Sequence, residues 1–381
     1  MASAIMADKH QIVVRQFSGE RAMAFAEPSD ELSVESQAAL RQLTVERLMA
    51  YGVHHADALE LRGRVASGEI WQAVATDLAE TCLALGNSQN ATPATRANMF
   101  YRASALFRMS QMMMLEDSPE RSAIYQRAGA VFRDAAALTA DREAVTIDTR
   151  SGPLSGWRYA PLSSQPVARV LVTGGVEGWA MDFAAMGLEL AARDIEALVL
   201  DAPGYGESRM LLGHYLTADW LGAYRDVVDW LDSAGPTLPI GVIGNSMGGS
   251  FAMHLAASDP RVMACCDNGG TSAPALARSN VTFFRKMMAH AGTRSEEEAM
   301  AIWSSVKPVD PANPLRCPLL VVHGARDPLI SDADATNLFD RAASTDKQMV
   351  IFSDGDHCIY NHSDDKHALI GDWIRSRLAK P

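Results

Sequence analysis

The spacing of apolar residues changes character once along the chain. From about Ser33 to Ala140 they recur at helical intervals, with few β-branched runs and no period-two alternation. This pattern predicts helices over Ser33–Tyr51, Trp71–Leu85, Pro93–Leu115 and Pro119–Leu138. Asn87, Ser88, Pro93 and Pro119 punctuate them, and Asp117-Ser118-Pro119-Glu120 reads as a helix start. From about Glu143 short apolar runs take over, at Ala144–Thr149, Trp157–Tyr159, Arg169–Thr173, Ile195–Leu200, Ile240–Ile243, Val262–Asn268, Pro318–Gly324 and Gln348–Phe352. Helical segments accompany them at Trp179–Arg193, Thr217–Asp232, Asp332–Ser344 and Lys366–Leu378. Strands alternating with helices predict an α/β fold with a doubly wound, mainly parallel sheet.

Two regions are therefore expected: an all-helical cap over residues 1–142 and a catalytic α/β domain over 143–381, with a small helical insertion at about 273–306. The apolar faces of the N-terminal helices must be buried on something, and the rim of the sheet is the nearest candidate. There they roof a cleft. Residues 1–30 are ambiguous and read as an arm.

One turn in the second half carries chemistry. Gly244-Asn245-Ser246-Met247-Gly248-Gly249 lies between the run Ile240–Ile243 and the helix-like stretch from Ser250 to Ala257. Strand, Gly-x-Ser-x-Gly and helix together are the context of a nucleophile elbow, which lifts a serine hydroxyl out of the sheet. A nucleophilic serine needs a base, and the base needs an orienting acid. Asp327 follows the strand that ends at Gly324, and His357 follows the strand that ends at Phe352, both on the rim of Ser246. Asp267, after the preceding strand, is the rival acid, but the His-Gly-x-x-Asp context favours Asp327. The oxyanion is expected on the backbone amides of Met247 and of Val176, in the loop Gly174-Gly175-Val176-Glu177-Gly178. Neighbouring amides of that loop are equally able to donate.

Composition narrows the partners. A net charge of −12 argues against nucleic acid and anionic membranes. No uninterrupted apolar stretch approaches the ~20 residues of a membrane span. The first ten residues lack the basic and apolar regions of a secretory signal. Five scattered cysteines, without metal-ligand spacing, predict reduced thiols, a cytoplasmic protein and no metal site.

The pocket is legible only in outline. The stretch from Phe100 to Leu115 is rich in Met and aromatic residues, which suit an adaptable apolar wall, although core packing accounts for most of them. Tyr101 and Met113 there, and Phe284 and Met288 in the insertion, are the candidates to touch substrate, with Phe283 and Met287 able to complete the wall. Glu177 and Trp179 beside the oxyanion loop are further candidates, and bracing the loop is the other role open to Glu177.

These motifs, with Asp201-Ala202-Pro203-Gly204-Tyr205-Gly206-Glu207-Ser208 as the loop after a central strand, resemble the α/β-hydrolase superfamily. More narrowly, a helical region ahead of the catalytic half is similar to the FrsA-like and 2,6-dihydroxypseudooxynicotine hydrolase-like subgroup, and to fungal hydrolases that shorten polyketide pigment precursors. The resemblance is specific over about residues 168–375 and lies in helical pattern alone before that. It implies a cofactor-independent serine hydrolase that cleaves carbon–carbon bonds next to a ketone, or esters, in a hydrophobic carbonyl substrate, and that assembles as a homodimer. A triad-based lyase or cyclase stays open, and so does a non-catalytic ligand-binding regulator. Residues Thr271 to Phe284 contain no carboxylate, so this insertion provides no pocket acid.

Overall fold

In a computed structural model, which describes residues 10–15, 30–161, 163, 165–279 and 281–379, side-chain caps set where the N-terminal helices begin. Ser33 accepts from the Ser36 amide to open α1 (Val34–Gln42), and Thr44 accepts from the Arg47 amide to open α2 (Val45–Ala50). The single helix expected over Ser33–Tyr51 is therefore two, because Thr44 caps a new helix instead of continuing the old one. An unforeseen α3 (His55–Ala66) follows, then α4 (Trp71–Gly86). Thr92 with Pro93 opens α5 (Pro93–Ser110), and Ser118 with Pro119 opens α6 (Pro119–Thr139). The helix expected to reach Leu115 stops at Ser110, where the chain turns through Gln111 and the following methionines.

Among the described residues nine strands form one sheet: β1 (His10–Arg15), β2 (Glu143–Thr149), β3 (Gly152–Tyr159), β4 (Ala168–Thr173), β5 (Ile195–Asp201), β6 (Ile240–Asn245), β7 (Val262–Asn268), β8 (Leu319–Gly324) and β9 (Lys347–Phe352). Their order is β1-β9-β8-β7-β6-β4-β5-β3-β2, parallel except for the pairs β2–β3 and β3–β5. Of the ambiguous residues 1–30, His10–Arg15 pair in register with Lys347–Phe352, residues 1–9 and 16–29 lie outside the described residues, and Asp30 sits in a turn. Among the described residues these α-helices accompany the strands: α7 (Ala184–Ala191), α8 (Gly206–Met210), α9 (Trp220–Ser233), α10 (Met247–Ser258), α11 (Val281–His290), α12 (Glu296–Trp303), α13 (Asp332–Arg341) and α14 (Ser363–Leu378). No helix among the described residues is long and apolar enough to cross a membrane.

Strand alternation divides the core. Val170, Val172, Val199, Ile243, Leu320 and Val322 face one side of the sheet, with Leu190 of α7 and Ile370 and Ile374 of α14. Leu171, Leu198, Val242, Leu319 and Val321, one residue out of phase, face the other side with α9, α10 and α13. The first cluster runs on without a break into the N-terminal helices through Tyr51, Phe107, Met109 and Phe132. Polar contacts fix the same seam. The buried Arg108 guanidinium donates to Asp182 at 2.7 Å and to the Tyr51 carbonyl at 2.8 Å, and Arg209 reaches Asp117 at 2.5 Å. The helical region is thus packed on, and ion-paired to, the loops at one edge of the sheet.

Candidate active site

The turn after β6 is built around a backbone that few side chains accept. Ser246 has φ 53° and ψ −131°, and α10 starts at the next residue. A Cβ on Gly244 would collide with the Gly248 carbonyl, and one on Gly248 with the Gly174 carbonyl. Only glycine lets strand, turn and helix approach this closely. The strain holds the Ser246 hydroxyl above the sheet at the N-terminus of α10, where the Met247 amide is unpaired within the helix. Gly175, in the loop after β4, comes so near that a Cβ there would stand 2.5 Å from the Ser246 Cβ and 3.0 Å from its Oγ. That closeness sets Val176 beside the serine, and both line the same cavity.

Asp327 and His357 converge on this point from β8 and β9. Asp327 Oδ1 accepts the amides of Leu329 (2.7 Å) and Ile330 (3.0 Å), which turns Oδ2 toward His357 Nδ1 at 2.7 Å. His357 Nε2 lies 2.8 Å from Ser246 Oγ. Burial opposes charge on Asp327, but the bond to His357 and the two amides outweigh it and hold the carboxyl below its ordinary range. On His357 burial also disfavours charge, while the adjacent Cys358 and the Asp327 carboxylate raise the imidazole above its ordinary value. Cys358 and Ile359 take positive φ (56° and 54°), and the buried Lys366 ammonium donates to the Cys358 carbonyl at 3.0 Å, fixing the turn that carries the histidine. Asp267 is fully buried and receives the Gly270 amide at 3.0 Å, and burial pushes its carboxyl up to about 7. The acid hydrogen-bonded to His357 is Asp327.

Two lobes meet at Ser246 and His357. An inner lobe of about 210 Å³ runs under the N-terminal helices and is lined by Arg47, Tyr51, Met112, Glu177, Lys286 and Tyr360, among others. An outer lobe of about 480 Å³ is lined by Met247, Thr271, Leu276, Ala277, Leu329 and Ile330, and Phe283 stands between the two. Of the residues expected to touch substrate, Glu177 lines the inner lobe, but its carboxylate is tied to Arg121 and faces Arg209 at 3.9 Å. Burial opposes its charge, yet Arg121 above all holds it well below the ordinary carboxylate range.

The other candidates lie elsewhere. Trp179 is buried and stacked on Tyr125 at 3.4 Å, bracing the end of the loop after β4. Tyr101 packs on Phe132 and bonds Thr139, so it belongs to the α5–α6 contact. Met113 packs against the core, and its neighbour Met112 lines the lobe. Phe284 turns into the core while Phe283, one residue earlier on α11, faces the cavity. Met288 lines a separate cleft with Tyr215 and Arg285. Sequence reasoning missed Arg47, Lys286 and Tyr360. Arg47 and Tyr360 sit inside elements whose inward face only tertiary packing defines, and no motif marks Lys286.

Among the described residues, no group of three or more His, Cys, Asp or Glu is placed to hold a metal ion. A central parallel sheet with an elbow serine, and an acid and histidine on the following strands' ends, defines the α/β-hydrolase class. The model of the alpha/beta hydrolase family matches residues 170–369, and the chain belongs to that family.

Relatives extend the likeness into the helical half. The chain is 23% identical over 350 residues to the 2,6-dihydropseudooxynicotine hydrolase of Paenarthrobacter nicotinovorans, covering 86% of this chain and 90% of that protein. It is 31% identical over 171 residues to the hydrolase ffsE of Aspergillus flavipes, 39% of this chain and 38% of that one. The crystal structure of 2,6-dihydroxy-pseudo-oxynicotine hydrolase shares the fold with a TM-score of 0.76 at 22% identity, covering 88% of this chain and 96% of that chain. Wild-type AbyA5 shares it at 0.67 and 18%, covering 87% and 98%.

Proposed function

We propose that the protein is a serine hydrolase in which Ser246 is the nucleophile, His357 the general base and Asp327 the acid that orients it. The observation that carries this reading is the unbroken relay Ser246 Oγ–His357 Nε2 (2.8 Å) and His357 Nδ1–Asp327 Oδ2 (2.7 Å), set on a strained turn beside an enclosed cavity. Ser246 Oγ passes its proton to His357 and bonds to a substrate carbonyl carbon. The oxygen, now negative, is held by the Met247 and Val176 amides, where each donor is worth about 3 kcal/mol of barrier. Collapse of the adduct expels the leaving group, which takes the proton from His357, and water then releases the acyl group from Ser246 by the same steps.

The bond broken is, in our reading, a carbon–carbon bond next to a ketone in an aromatic or polyketide-like compound. Such a leaving carbon departs as an enolate, so the electron sink belongs to the substrate and no cofactor is called for. Support comes from the likeness over most of both lengths to a 2,6-dihydropseudooxynicotine hydrolase, and from the partial likeness to hydrolase ffsE. Ester cleavage uses the same relay with an alkoxide leaving. The helical residues up to 142 act as a cap whose underside, through Arg47, Tyr51 and Met112, closes the inner lobe over the serine.

A fluorophosphonate probe tests the nucleophile. Folded protein is expected to take up one label on Ser246, and intact mass after brief exposure to substrate to show an acyl-serine. Absence of labelling, or full turnover by Ser246→Ala, overturns the assignment. A screen of aryl esters beside β-diketones then separates the two bond types.

A further inference from the structure

Two cations line the inner lobe, and neither makes an ion pair among the described residues. Arg47, on α2, lies over the rings of Tyr51 and Tyr360 (5.4 Å to each centroid) and donates to the Gln42 carbonyl and the Tyr51 hydroxyl. Its Nε is buried without a hydrogen-bond partner, and no described carboxylate pairs with it. Lys286, on α11, faces the same lobe, and its ammonium has no hydrogen bond or ion pair among the described residues.

The acid in the lining does not balance them. Glu177 is bound by Arg121 and approached by Arg209, and Asp117 completes the group by pairing with both arginines. Glu177 also faces His290 at 3.7 Å and acts on Lys286 through space, but neither it nor Asp117 makes an ion pair with Arg47 or Lys286. Arg47 and Lys286 remain in excess. Burial lowers the Lys286 pKa; Glu177 pulls it back up, and Arg47 and Arg121 push it further down. Like charges held together in a partly dry cavity repel, and buried charge is ordinarily paired. An anion entering the lobe relieves this repulsion and finds donors already in place. The outer lobe carries no Lys or Arg; Asp334 and Ser272 there bond each other, and Ala273, Leu276, Ala277, Leu329 and Ile330 leave room for an apolar body.

We propose that the substrate carries an oxyanion, held between Arg47 and Lys286 in the inner lobe, with its apolar portion in the outer lobe and its reacting carbonyl at Ser246. The substrate class is then an acidic carbonyl compound: one bearing a carboxylate or an enol acidic enough to ionise. The placement of the carbonyl rests on the nucleophile reading above; the anion site itself does not.

Calorimetric titration of the full-length Ser246→Ala protein tests the site without chemistry. Benzoylpropionate probes for a carboxylate and dimedone for an enolate, each against its neutral counterpart, benzoylpropionamide and the corresponding monoketone. At least one anion is expected to bind about tenfold or more tightly than its neutral partner. That preference should shrink about tenfold in Arg47→Gln and, separately, in Lys286→Met, and Arg47→Lys should restore part of it. Misfolding lowers both members of a pair alike, so the ratio reports the charges. Equal binding of anion and neutral compound in both pairs, or a preference untouched by either substitution, overturns the proposal. Selective anion binding by the Ser246→Ala protein, together with native protein that fluorophosphonate does not label, would retain the site and remove only the nucleophile.

Discussion

The hydroxyls of Tyr51 and Tyr360 lie 2.8 Å apart, 309 positions removed in sequence. One belongs to the helical region and the other follows the histidine turn by three residues. Their rings meet edge to face at 5.2 Å, and both line the inner lobe. The helical region therefore touches the reaction centre through the very segment that carries His357.

Tyr51→Phe leaves the buried Tyr360 hydroxyl without that partner. An unmet buried donor costs about 1–3 kcal/mol. The expected result is a loss of that size in urea unfolding, with kcat falling more than KM changes because the histidine turn loosens. An unchanged kcat would show the contact to be structural only.

Asp327→Asn tests the acid directly. Without the carboxylate the imidazole loses its orientation and a main source of its raised basicity, and kcat should fall by about 10⁴-fold. A base must be neutral to act, and the His357 pKa is raised, so kcat/KM of the native protein should fall with acid at a pH above the ordinary histidine value of about 6.5. In Asp327→Asn the residual activity should fall at lower pH than this. Asp267→Asn, which leaves the relay intact, should move neither quantity comparably.

Gly175→Ala probes the closest approach to the nucleophile. Its new methyl would press on Ser246, so either the oxyanion loop or the serine must shift. Displacing one oxyanion donor costs roughly 10²–10³ in rate. Loss of that order in kcat/KM, with circular dichroism unchanged, is expected.

Arg121→Met removes the chief partner of a buried carboxylate; the side chains of Arg121 and Glu177 are 0% and 2% exposed. Breaking such a pair from one side costs about 3–5 kcal/mol. Denaturant unfolding should register that loss, and adding Glu177→Gln should recover part of it. A double variant no more stable than the single one would show that Glu177 is satisfied by Arg209 alone.

What the sequence revealed follows from how local each signal is. The elbow at Ser246 and the loops bearing Asp327 and His357 are short motifs after short strands, so residue type and order marked them before any coordinates. Strand positions followed apolar runs for the same reason. The pocket wall did not, because which face of a helix turns inward is decided by packing from distant elements. Of the neighbouring candidates Phe283 and Phe284 on α11 only Phe283 lines the cavity, one residue and about a third of a helical turn apart, and of the methionines after α5 it is Met112 that does so. Thr44 split one apolar pattern into two helices, since apolar spacing continues across a cap that the backbone does not. Glu177 had two roles open, and its bond to Arg121 from α6 is a long-range pairing that no local pattern encodes.

The pairing of β1 with β9 sets an order of events during synthesis. The segment from His10 emerges from the ribosome before any other described strand, yet its neighbour in the sheet begins at Lys347. Every other described strand must be made before that edge can close. Until then the Gln-Ile-Val-Val core of that hexapeptide is an unpaired, adhesive ribbon, so chaperone capture of nascent chains should centre on β1 and cease only when β9 appears.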